Sequence, residues 1–159
     1  MVLLTSFLSA MFAAVILIPP LTALYQKLNI VDLPSARKVH SIPIPRVGGV
    51  AIIIASVIPM YWWLGLDKPM IGFFLGIATI FVMGVLDDAK DLNYKIKFIL
   101  QALSIALIFY FGFINIDNAE FHSENALFNI FLFIIYFVFI LGVTNAINLA
   151  DGLDGLAGG

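Results

Sequence analysis

LFNIFLFIIYFVFILGVTNAI, residues 127–147, contains no Asp, Glu, Lys or Arg. A bilayer core of ~30 Å takes about 20 predominantly apolar residues as a helix, and this run supplies them. Inside hydrocarbon the backbone has no water to bond, so a spanning segment must close its own hydrogen bonds as a helix. Four more runs, at 2–26, 47–66, 69–86 and 96–114, read the same way. The shortest, 69–86, makes a helix of ~27 Å at ~1.5 Å per residue. Pro19-Pro20 in the first run and Pro59 in the second predict a kink or an early helix end. The expected fold is an all-α polytopic membrane protein, a single transmembrane domain over 1–159 with about five transmembrane helices.

Composition supports this reading. Of the 159 residues, 62% are hydrophobic and only 11% charged, and the mean hydropathy is +1.08. A soluble domain carries roughly 25% charged residues. The balance excludes a disordered chain, a collagen-like chain and a basic nucleic-acid binder. With no cysteine, a disulfide scaffold, a thiolate metal site and a Cys nucleophile are excluded as well. A signal peptide needs a positive start, and the first basic residue here is Lys27, after the first run.

Lys and Arg set the orientation. Lys27, Arg37, Lys38 and Arg46 lie in the loop after the first run. Lys90, Lys95 and Lys97 lie around the loop after the third, and Lys68 stands alone on the opposite side. The basic side is expected to be cytoplasmic, with the N-terminus outside and the C-terminal end cytoplasmic. Tyr61, Trp62 and Trp63 then fall at the outer end of the second helix, where an aromatic belt belongs. The polar stretch 115–126 is an external loop on this reading, with His122 solvated.

Asp32, Asp87, Asp88, Asp91, Asp151 and Asp154 share the inner side with those bases and with His40. Such a cluster at a membrane face is costly and points to function. In GVLDDAKDLNYKIKFILQ, residues 84–101, Asp87 and Asp88 end the third helix. Adjacent carboxylates repel unless a cation intervenes, and hard divalent cations take oxygen ligands of this kind. The bland alternative is a pair of solvated helix-end charges, although negative charge opposes the macrodipole there. Lys97 and Gln101, four apart, share a helix face; Lys97 reads as a phosphate contact or equally as a positive-inside anchor. DDAKD matches the aspartate-rich DDxxD motif of soluble prenyl synthases, whose soluble bundle this composition does not fit.

In NAINLADGLDGLAGG, residues 145–159, Asn145 and Asn148 are three apart, as are Asp151 and Asp154. Four polar side chains closing a membrane helix suggest a metal or nucleotide site, against small-residue helix packing for the glycines. In the segment 32–49, Ile42-Pro43 and Ile44-Pro45 favour an extended loop. Arg37, Lys38, His40 and Arg46 along it read as phosphate contacts or as a plain positive-inside loop. No Walker A loop, GxSxG or HExxH is present.

RKVHSIPIPRVGG at 37–49, GVLDD at 84–88 with Lys97 and Gln101, and NAINLADGLDGLAGG at 145–159 together resemble the polyprenyl-phosphate N-acetylhexosamine-1-phosphate transferases. The resemblance is nearest the WecA/TagO-like branch, which primes teichoic acids, O-antigens and enterobacterial common antigen. The phospho-MurNAc-pentapeptide transferase (MraY) branch shares the acid pair and the Asn/Asp string, but usually has a KKGTPTMGG-like sequence where this chain has PIPRVGG. The resemblance implies transfer of a sugar 1-phosphate, most simply GlcNAc-1-phosphate, from a UDP-N-acetylhexosamine to undecaprenyl phosphate, releasing UMP. This would be the first membrane step of cell-wall or surface polysaccharide synthesis.

By the same resemblance the metal would be Mg2+ (Mn2+ an alternative), with Asn148 as a ligand. Asp87 and Asp88 would be catalytic, as proton acceptor, orienting group or covalent nucleophile. Lys97, Asn145, Asp151, Asp154, Arg46 and His40 would bind substrate, with Lys97 on a donor phosphate and Asp154 near the uracil. The implied partners are the UDP-sugar, the lipid phosphate and the bilayer of the cytoplasmic membrane, with no nucleic acid; a homodimer stays open. The family has about ten or eleven membrane helices, so these residues are expected to form an N-terminal part of such a protein. The alternative from another class is a cation-coupled transporter or channel subunit, disfavoured because the acids cluster at one face and not at midplane. A CDP-alcohol phosphotransferase would need an Arg closely following DG and a second spaced DxxxD, and neither appears.

Overall fold

A computed structural model describes residues 1–32, 42–114 and 125–150, the side chains of Asp32 and of residues 148–150 excepted. Five helices follow in order: α1 (Val2–Lys27), α2 (Gly48–Leu64), α3 (Lys68–Lys90), α4 (Tyr94–Tyr110) and α5 (Ala126–Ala150). Three helical segments are long and apolar enough to cross a membrane: Val2–Lys27, Lys68–Lys90 and Ala126–Ile147. α2 and α4 have 17 residues each, ~25 Å at ~1.5 Å per residue. The protein is therefore a largely helical, multi-pass membrane protein.

The helix ends have local causes. Asp67 caps α3 by accepting a 2.9 Å hydrogen bond from the Met70 N–H, with Pro69 in the first turn, where a missing N–H costs nothing. Gly65, at φ 74°, ends α2 in a conformation that disfavours a side chain. Asn93 caps α4 through Lys95 N–H at 2.9 Å. The prolines do not end their helices, contrary to one of the sequence expectations. α1 runs through Pro19-Pro20 and α2 through Pro59. A proline leaves the carbonyl four residues earlier without its donor and does not force termination when the flanking turns hold.

The extended segment ahead of α2 carries the one short ladder among the described residues. β1 (Val31–Asp32) and β2 (Ile44–Pro45) form a short antiparallel pair, Val31 opposite Pro45 and Asp32 opposite Ile44. The extended backbone enforced around Pro43 and Pro45 makes this ladder possible. It brings the start of α2, with Arg46, back against the end of α1.

The helices pack as two tight pairs, α1 with α2 and α3 with α4; α2 meets α3, and α4 meets α5, over smaller contacts. Hydrophobic attraction between helices is weak in lipid, so close approach depends on small residues. Gly72 and Gly76 supply it on α3. A Cβ on Gly72 would lie 2.3 Å from Phe111 Cβ, and one on Gly76 would lie 2.8 Å from Ile108 Cγ1. The Ser104 hydroxyl, buried in this contact, donates to the Gly76 carbonyl at 2.9 Å. A second cluster ties the end of α1, the start of α2 and the last turns of α3: Tyr25, Val47 and Val50 are buried, with Phe81 and Val85 packed on them.

Candidate functional site

Successive residues on a helix lie ~100° apart, so neighbours face different partners. Phe81, Val85 and Asp88 (i, i+4, i+7) share the face that packs on α1 and α2. Gly76, Ile80 and Asp87 (i, i+4, i+11) share the face towards α4. Helix phase therefore sends the two adjacent carboxylates to two different cations. The Lys97 Nζ lies 2.7 Å from Asp87 Oδ1. Arg46 Nη1 donates to Asp88 Oδ1 at 3.3 Å. Mutual repulsion of the carboxylates is thus compensated by Arg46, 42 residues before Asp88, and by Lys97 on α4.

The turn between α3 and α4 makes the Lys97 contact possible. Asp91 ends α3 in the left-handed conformation, φ 51°, which Asp tolerates better than most residues. The chain reverses within three residues, and the Leu92 N–H donates to Asp87 Oδ1 at 2.9 Å. One oxygen of Asp87 thus holds both the turn and the lysine. The four charged side chains are 24–42% exposed, so they sit at a mouth open to solvent. Tyr25 is buried at the end of α1, packed with Val47 and Val50.

The Arg46–Asp88 pair, with Arg46 42% exposed, stabilises the fold by no more than about 1 kcal/mol. Arg46→Gln should therefore leave unfolding in detergent unchanged within about 1 kcal/mol. A larger loss in a denaturation curve would show that the pair is a structural strut instead.

On α4, Gln101 follows Lys97 by one turn and is only 2% exposed. Its carboxamide pairs with Asn145 on α5: Asn145 Nδ2 donates to Gln101 Oε1 at 3.0 Å, and Gln101 Nε2 to Asn145 Oδ1 at 3.5 Å. Asn145 Nδ2 also donates to the Leu141 carbonyl at 2.8 Å. Interhelical bonds of this kind are worth about 0.6 and up to 1–2 kcal/mol each in a membrane. An apolar cavity of about 320 Å³ opens between α2, α3, α4 and α5, edged by Gln101, Ser104 and Thr144. A second, of about 350 Å³, lies between Tyr94, Lys95, Phe98, Ile99 and Asn145.

Among the predicted site residues, Asp87, Asp88, Lys97 and Arg46 come together, and Asn145 lies one helix contact further on. Asn148 is on α5, one turn beyond Asn145, with its side chain outside the described residues. His40, Asp151 and Asp154 lie outside them altogether, as do Arg37 and Lys38. Tyr25 and the Gly72/Gly76 contact were not foreseen from sequence. The spacing Gly-x-x-x-Gly was a usable signal for the second; a single tyrosine at a helix end gave none for the first.

Among the described residues no group of three or more His, Cys, Asp or Glu gathers to hold a metal. Mg2+ does not require one, because it is commonly bound by one or two carboxylates, water and substrate phosphates. The hard oxygen donors of Asp87 and Asp88 fit such an ion.

The family described as glycosyl transferase family 4 matches residues 70–159, the stretch from α3 through the Asn/Asp string. The chain is 34% identical over 157 residues to a Bacillus subtilis (strain 168) protein named probable undecaprenyl-phosphate N-acetylglucosaminyl 1-phosphate transferase, covering 97% of this chain and 44% of that one. It is 36% identical over 142 residues to the undecaprenyl-phosphate alpha-N-acetylglucosaminyl 1-phosphate transferase of Thermotoga maritima, covering 87% and 42%. A phospho-N-acetylmuramoyl-pentapeptide-transferase from Buchnera aphidicola is 34% identical over 131 residues, covering 71% and 38%. The chain spans less than half the length of these relatives. No solved structure matches it.

Proposed function

The chain belongs to glycosyl transferase family 4, and from that premise we propose that the protein transfers an N-acetylhexosamine 1-phosphate, GlcNAc-1-phosphate in the simplest case, from a UDP-sugar to undecaprenyl phosphate. The observation that carries the reading is the Asp87–Asp88 pair at a solvent-open membrane mouth, with each carboxylate held by a cation from a different segment. The relatives' names point to this chemistry and leave the transporter alternative without support. On this reading the basic loops and the site are cytoplasmic, and the reaction opens the synthesis of a surface polysaccharide.

In the proposed reaction an oxygen of the lipid phosphate attacks the β-phosphorus of the donor. The bond from that phosphorus to the bridging oxygen breaks, and UMP leaves with the oxygen. Phosphoryl transfer of this kind needs positioning and charge neutralisation more than covalent help. Asp87 holds Lys97 and the Leu92 N–H and Asp88 holds Arg46; either carboxylate would accept or orient the lipid-phosphate proton. Lys97 has three N–H donors; with one on Asp87, two remain for a donor phosphate. Arg46 offsets charge from the other side of the mouth. A divalent ion, Mg2+ or Mn2+, with Asn148 as a ligand, would polarise the diphosphate when bound. Asp151, Asp154 and His40 complete the donor contacts in this proposal.

The test is UMP release by the protein expressed from its complete reading frame, in detergent, with UDP-GlcNAc, Mg2+ and undecaprenyl phosphate. UMP that requires both the lipid and the metal is the expected result. No UMP from a folded protein across a panel of UDP-sugars would sink the transferase reading.

A further inference from the structure

We propose that the Gln101–Asn145 carboxamide bridge is the positioning element that fixes the inner end of α5 against α4. It would hold the turn carrying Asn145 and Asn148 at a set distance from Lys97. For its catalytic consequence the inference rests on the transferase reading above; for its geometry it does not.

Three observations carry it. First, Gln101 is almost fully buried in a membrane helix, where an unpaired carboxamide is costly. Its pairing with Asn145 therefore specifies one relative placement of two helices 44 residues apart. Second, Asn145 has two N–H donors, and both are engaged, by Gln101 Oε1 and by the Leu141 carbonyl. This makes it a poor substrate donor and a good spacer. Third, α5 packs on α4, and a further link among the described residues is aromatic, Phe109 on Phe133 with ring centroids 4.8 Å apart. That apolar contact lies about two turns from Gln101 on α4 and about three from Asn145 on α5, and it leaves the inner end to slide. The carboxamide bridge is the directional contact at that end. Lys97 lies one turn from Gln101 and Asn148 one turn from Asn145, so the bridge sets the span between two groups proposed to hold the donor.

The test compares the native protein with Gln101→Met, which keeps the volume and removes the bridge, and with the exchanged pair Gln101→Asn plus Asn145→Gln, which rebuilds it with the lengths swapped. Spin labels on cysteines introduced at Ile99 and Ile147, both exposed, report the α4–α5 separation in lipid nanodiscs. The native protein should give one narrow distance distribution, Gln101→Met a clearly broader one, and the exchanged pair a narrow one again. In the transferase assay Gln101→Met should lower kcat/KM for the UDP-sugar by about tenfold or more, since small misplacements cost up to about a hundredfold. The KM for undecaprenyl phosphate should stay unchanged, and the exchanged pair should recover most of the loss. A purely structural role would lower the folded fraction without separating donor from acceptor kinetics, and that outcome overturns the proposal. So does an unchanged distance distribution in Gln101→Met, or broadening with native donor kinetics. A native protein that makes no UMP sinks the transferase reading, while the distance arm still decides the clamp.

Discussion

Asp88→Asn is expected to cut UMP release by about a hundredfold or more, the low end for losing an acid–base group in the transition state. The substitution is nearly isosteric. Asn keeps an oxygen at Oδ1, so Arg46 Nη1, 3.3 Å away, retains an acceptor. What disappears is the charge and with it the capacity to take a proton. Because the pair is partly exposed, its contribution to stability is small, and the variant should fold. Asp87→Asn makes a telling companion. It too should lose activity, because the charge facing Lys97 disappears, while Asn keeps the Oδ1 that accepts from the Leu92 N–H and so keeps the α3–α4 turn. The measurement is UMP release at saturating donor and lipid, with a thermal unfolding curve on each variant. Near-native turnover in folded Asp88→Asn would remove it from the chemistry.

The second large effect lies outside the site. Gly72→Ala should destabilise the protein by about 1–3 kcal/mol, the usual cost of overpacking a close contact. In an isolated helix the same change is favourable by roughly 0.5–1 kcal/mol. The sign reverses here because the added Cβ would sit 2.3 Å from Phe111 Cβ and 3.1 Å from the Leu107 carbonyl oxygen. Neither is the far end of a flexible side chain, so the helices themselves must part. Gly142, on α5, has nothing within 4 Å of where its Cβ would be, and Gly142→Ala should be neutral or mildly stabilising. Thermal unfolding of the two variants in the same detergent checks the contrast. Equal midpoints would mean that α3 and α4 are not held by this contact.

Much of the architecture was legible because membrane insertion is local and additive. A run such as 127–147 crosses or not according to its own residues, and helical structure inside lipid follows from the lack of water. The acid pair was also visible, since DD at a helix end opposes the macrodipole and asks for a reason. The sequence was less informative about helix ends, where Pro19-Pro20 and Pro59 suggested a kink or an early end and α1 and α2 ran on. Flanking turns decided that, and their strength depends on packing.

Composition, spacing and residue type were enough to make this a helical membrane protein and to mark Asp87 and Asp88, because those properties belong to short stretches of chain; Lys97 and Arg46 read equally as positive-inside charges, and only the resemblance gave them a substrate role. Which carboxylate meets which cation was a different matter. It depends on the phase of α3, on the Gly72/Gly76 approach to α4 and on the β1–β2 pair that delivers Arg46. The Gln101–Asn145 bridge likewise joins residues 44 apart. Such pairings arise only when separate helices pack, since each partner's position is set by contacts the other segment makes elsewhere.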